Sequence, residues 1–236
     1  MIGYSFEKMK WEGGEPLPNK LGETRITKRR IGFDGGGFCT SPTPRESLFF
    51  LFSQGKYVVK CSKFKIGGSI RKVTTDVGRV PLNILFSSSC TNLTGYVDMK
   101  KIMMGWVVDC AEHTFLPYLE KEIPKDDLHK KVLSAARSYL TKPTIKNRDI
   151  LKKSKELLHD RYFYDLSNNG VRQVSFMIET IAYLVSHRVA KPYFCDSIIL
   201  ITKEVIKQIA PNDCEKEVKR MDGRLIELME EEFNKV

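Results

Sequence analysis

The sequence predicts an α+β protein: an N-terminal basic antiparallel β-rich part over residues 1–97, followed by a C-terminal α-helical bundle of about six helices over residues 98–236. Three observations lead to that reading. Between residues 55 and 97, β-branched residues and lysines alternate in runs separated by Gly-Gly and Ser-rich breaks, as exposed strands do. From residue 98 onward, apolar residues recur at three- and four-residue spacing, the period of helices that bury one face. The net charge of +10 is also unevenly divided, with 15 Lys and Arg against 7 Asp and Glu in residues 1–97, and 24 against 22 in the remainder.

The first 45 residues are punctuated by Gly13-Gly14, Pro16, Pro18 and Gly35-Gly36-Gly37, so long regular elements are not expected there. Between these breaks, residues 23–33 read as a strand carrying Lys28-Arg29-Arg30, the densest positive charge in the chain. The triple glycine lacks a following Gly-Lys-Ser/Thr and is read as a tight turn, not a phosphate loop. Thr43-Pro44-Arg45-Glu46 has the form of a capping box at a helix start. The apolar run at 47–52 must be buried, as a helical turn or as a central strand. Residues 56–66 read as a strand, Gly67-Gly68 as the turn after it and residues 69–77 as the returning strand. One or two more are expected in 80–97, on either side of Ser87-Ser88-Ser89.

In the second part, a helix starts after Asp98, with Trp106, Val107, Cys110, His113, Thr114 and Leu116 on one side and Asp109 and Glu112 turned away. Pro117 is a candidate kink. Pro124 ends the segment, and a new helix starts near Asp126 with Leu128, Val132, Leu133, Ala136, Tyr139 and Leu140 on its stripe. Further helices are expected over 146–165, over 171–189 as the central one, over 192–209 and over 214–233.

The run Asp109-Cys110-Ala111-Glu112-His113, then Leu116, Pro117, Leu119, Glu120, then Pro124, Asp126, Asp127 and Ala135-Ala136-Arg137, resembles the all-helical immunity proteins that accompany polymorphic bacterial toxin systems. Arg224-Leu225-Ile226-Glu227-Leu228 resembles the last helix of that family. The resemblance lies mainly in residues 106–143 and does not extend before residue 100. It implies a non-catalytic protein that blocks a partner, a toxin in that family, through surface complementarity.

The residues themselves point the same way. Cys110 and His113, three apart on one helical face, are the sole nucleophile-and-base hint, and they read more simply as core packing. His129, His159 and His187 fall on separate helices without zinc-like spacing, and the six scattered cysteines read as reduced, mostly buried thiols. No catalytic residue, metal or cofactor is expected. No apolar run approaches the roughly 20 residues that cross a bilayer, and no signal pattern opens the chain, so a cytoplasmic protein without membrane contact is expected. The binding candidates are Lys28, Arg29, Arg30, Lys60, Lys63, Lys65, Arg71 and Lys72, read as a basic sheet face together with Lys56, Tyr57 and Phe64. Such a face suits an acidic protein partner, or alternatively nucleic acid, through cations and stacking rings.

Overall fold

In the computed structural model, which describes residues 1–6, 14–32, 35–44, 46–47, 60–77, 80–162, 169–187 and 213–235, the β-patterned sequence forms a six-stranded antiparallel sheet. Its strands are β1 (Ile2–Phe6), β2 (Thr24–Ile26), β3 (Phe38–Thr40), β4 (Lys60–Val77), β5 (Val80–Asn92) and β6 (Val97–Asp98). The order is β1-β4-β5-β2, with β3 also on β5 and β6 also on β4. The chain divides into two compact units, Met1–Met99 with Leu225–Val236 and Lys100–Arg224.

The long β4–β5 hairpin corrects the expected strand breaks. Gly67-Gly68 does not turn the chain: β4 runs through it for 18 residues, and the reversal comes where Val77 pairs with Val80. What the glycines provide is a register shift between Gly67 and Ile70, a β-bulge in which Gly68 adopts φ +68. The Ser69 N–H donates to Ser88 Oγ across it, at 2.9 Å. A Cβ on Gly68 would lie 2.2 Å from that oxygen. Gly68→Ala is therefore expected to cost about 1–2 kcal/mol, read as a lower urea midpoint. The three serines do not interrupt β5 either, and among the described residues of 23–33, which end at Gly32, only Thr24–Ile26 forms a strand.

Phe38, Phe64, Ile66, Leu85 and Cys90 form the core of the sheet unit, with Leu17 and Tyr96 packed against it. Ser62, expected to face out, is fully buried, where its hydroxyl donates to Asn92 Oδ1. The capping box forms: Thr43 Oγ1 accepts the Glu46 N–H and donates to Glu46 Oε2. Residues 48–59, including the apolar run's end, Lys56 and Tyr57, lie outside the described residues.

Five helices, not about six, follow among the described residues. They are α1, a continuous helix made of Lys100–Cys110, Ala111–Phe115 and Leu116–Glu122, then α2 (Leu128–Thr141), α3 (Ile145–Tyr162), α4 (Asn169–His187) and α5 (Cys214–Phe233). The sixth was expected over residues 192–209, which lie outside the described residues. Pro117 is accommodated by a wide turn: Ala111–Phe115 is π-helical, with the Leu116 N–H bonded to Ala111 O. That turn shifts the helix phase. Phe115 becomes fully buried and His113 is carried to the exposed side. In α4, Val174, Ile178, Ile181 and Val185 are buried in one stripe, and α4 packs on α1, α2 and α3. No described helix is long and apolar enough to cross a membrane.

Candidate functional site

The expected basic residues separate once the register is known. Around Lys65 the pairing sets Ile2, Lys65, Thr91 and Thr24 in one row across β1, β4, β5 and β2, and Gly67, Ser89 and Ile26 in the next. Phe64, Ile66, Cys90 and Asn92 occupy the alternate positions and are buried. The first set therefore forms the outer face. Lys65 and Thr24 are exposed on it, and Ile26 is 77% exposed. Thr24 and Thr91 are joined hydroxyl to hydroxyl at 2.9 Å.

β2 is launched by a second bulge. The N–H of Gly22, at φ 76, donates to Asn92 O, while the Asn92 N–H donates to Glu23 O. After Ile26 the chain leaves the sheet as a loop carrying Lys28, Arg29 and Arg30, all exposed. Thr27 Oγ1 donates to Glu15 and accepts the Arg29 N–H, and the Arg29 guanidinium lies 3.2 Å from Glu15. A Gly32–Gly36 bridge closes the loop, and Arg71 lies over it, because a Cβ on Gly32 would meet Arg71 Nη1 at 2.8 Å. Among the described residues, Lys28, Arg30, Lys65 and Arg71 have no acidic partner within ion-pair distance.

The remaining candidates fall elsewhere. Lys63 is neutralised by Glu230 at 2.7 Å, and the same carboxylate accepts the Tyr4 hydroxyl. Lys60 lies at the start of β4 opposite Asp98, and beyond the bulge Lys72 stands opposite Leu85 and Arg71 opposite Phe86, so the two alternate across the strand with Arg71 on the side of Phe86. Phe64, expected as a stacking ring, is fully buried. The reading of the residues missed Ile26. An isoleucine among threonines and arginines in a strand signals core as readily as surface, and only the pairing partner decides.

In the helical unit, the residues that carry the family resemblance meet. Arg137 on α2 bonds to both Asp109 and Glu112 of α1, its Nε lying 3.1 Å from Glu112, and Arg224 on α5 reaches Asp109 at 3.1 Å. Asp109 and Glu112 thus tie helices together. Asp126 likewise accepts the Leu128 N–H at the start of α2, the Tyr162 hydroxyl and the Arg161 guanidinium. Burial pushes its carboxyl up, but these three partners outweigh that and hold it below the usual range.

The cysteine and histidine hint dissolves. Cys110 is buried, its thiol pushed far up by burial, while His113 turns outward to within 3.6 Å of Glu217. Cys39, Cys61 and Cys90 are likewise free and buried, Cys39 and Cys90 pushed up to about 12. His129, 1% exposed, meets Ser175 Oγ at 2.6 Å. Because the Ser175 hydroxyl donates to Val171 O, the imidazole N–H must be the donor to Ser175, which makes this a packed polar pair and not a base poised on a nucleophile. Among the described residues, no group of three or more His, Cys, Asp or Glu is placed to hold a metal ion. No family model, curated protein or solved structure matches this chain.

Proposed function

We propose that this chain is a non-catalytic binding protein that engages an acidic surface of a partner protein, as immunity proteins engage toxins, through the face formed by Ile26, Lys28, Arg29, Arg30 and Lys65. The observation that carries the proposal is the combination on that face of exposed cations lacking carboxylate partners among the described residues with a largely exposed isoleucine. Cations steer an acidic partner, and an aliphatic side chain between them gives the contact a dry centre. Nucleic acid is the less supported occupant: of the two rings expected to stack on bases, Phe64 is in the core and Tyr57 lies outside the described residues.

The test compares the wild-type chain with Lys28→Glu/Arg30→Glu/Lys65→Glu. Captured from its native cell at low and at high salt, a specific protein partner is expected to be retained by the wild type, and binding is expected to weaken roughly tenfold or more in the variant and with added salt. A Lys125→Glu/Lys130→Glu control on the helical unit is expected to bind as the wild type. A persistently solitary chain would overturn the proposal. So would tight binding to mixed RNA and DNA oligonucleotides that the triple variant abolishes, which would replace the protein partner with nucleic acid.

A further inference from the structure

We infer that the outer edge of β2 receives an extended acidic segment of the partner as an added β-strand. This rests on the reading of the face as a site for an acidic protein, and it specifies how the partner is held.

The hydrogen-bond pattern shows which backbone groups are spoken for. Glu23 O and the Thr27 N–H are bonded to Asn92 and Ser88 of β5. In an antiparallel ladder bonded and non-bonded pairs alternate, so Arg25 is the bonded residue between them. Thr24 and Ile26 fall at the non-bonded positions. Their N–H and C=O groups consequently point away from β5, and β2 ends the strand order with no further strand beyond it among the described residues. Two donors and two acceptors are left on an exposed edge, the arrangement that accepts another strand.

The charge around that edge selects the occupant. Lys28, Arg29 and Arg30 follow Ile26 after a single residue, Thr27, and Lys65 lies one row away on the outer face. A second copy of this strand would bring a like-charged loop to the same place. An acidic segment would instead set carboxylates against the lysines and arginines while its alternate side chains cover Ile26. A net strand bond contributes little in water, so four backbone groups hold the segment only weakly, and the charges are required for useful affinity.

The experiment uses the full chain and a short peptide of alternating Glu and Val as the probe. Saturating peptide is expected to slow amide exchange at Thr24 and Ile26 about tenfold or more and to leave Arg25, already bonded, unchanged. The same peptide N-methylated on one edge is expected not to do so. Thr24→Pro, which removes an outward N–H and no backbone bond to β5, is expected to weaken peptide binding, whereas Thr24→Val, which removes only the hydroxyl bonded to Thr91, is expected to bind the peptide as the wild type does. Peptide binding that depends on Lys28 and Arg30 but leaves Thr24 and Ile26 exchange unaltered would overturn strand addition and leave the acidic-partner reading standing. No binding of the peptide at all would overturn strand addition, and the capture experiment with the triple variant then decides the broader reading separately. Should Thr24→Pro fail to fold, exchange in the wild type decides.

Discussion

Replacing Trp106 with alanine is expected to lower the unfolding free energy by about 3–5 kcal/mol. Trp106 is the largest fully buried side chain of the described residues, and its indole N–H donates to the Met221 carbonyl on α5 at 2.7 Å. Truncation removes the apolar volume that fills the α1–α5 contact and the indole bond to a carbonyl that keeps its own helix donor. Trp106→Phe separates the two effects. It keeps most of the packing, and its expected cost of roughly 1 kcal/mol reports mainly the lost indole bond. Urea titration followed by far-UV circular dichroism reads both. A loss below about 1 kcal/mol for the alanine variant would mean that the contact is not a main support of the helical unit.

Acidification from pH 6.5 towards 4 is expected to destabilise the protein by up to roughly 3 kcal/mol through His129 alone. Burial holds the imidazole neutral and lowers its pKa to about 4, with Arg161 adding to the effect and Asp126 opposing it. The folded pKa lies below the unfolded value of 6.5, so as pH falls through this window the unfolded chain takes up a proton that the native protein refuses. Stability is fully present above 6.5, declines down to about 4 and then levels for this group. Asp126 and Glu217, held below the ordinary carboxylate range, add losses that begin near their ordinary values, at the acid end of this window, and continue below it. A His129→Leu variant is expected to be flatter between pH 6.5 and 4, although its stability at neutral pH also falls with the loss of the bond to Ser175. An unchanged slope in that variant would assign the pH dependence elsewhere.

How far these features were legible in the sequence depended on whether local chemistry or long-range pairing decides them. The seam of α5 was legible because Met221, Leu225 and Met229 recur at helical spacing and fall on one side, where they are buried. The Thr43–Glu46 capping box was legible for the same local reason. Gly67-Gly68 was not, since a glycine pair suits a turn and a bulge equally, and only the pairing of Val77 with Val80 tells them apart. Of the basic site, Lys28, Arg29 and Arg30 were legible as charge. Lys63 was indistinguishable from Lys65 until Glu230, far along the chain, was seen to neutralise it. The ion pairs of Asp109, Glu112 and Arg137 were hidden for a similar reason, because residues turned from an apolar stripe read as solvated unless a neighbouring helix supplies the partner.

The membership of residues 225–236 in the sheet unit bears on how the protein is made. Tyr4 and Lys63 both wait for Glu230, so the N-terminal strands cannot reach their final state while the ribosome is still translating the helices between. During that interval a nascent chain would present an unfinished β-structure to the cell. A fragment that stops short of Glu230 would keep that unfinished state, and its loss of both bonds is expected to make it more prone to aggregate than the full chain.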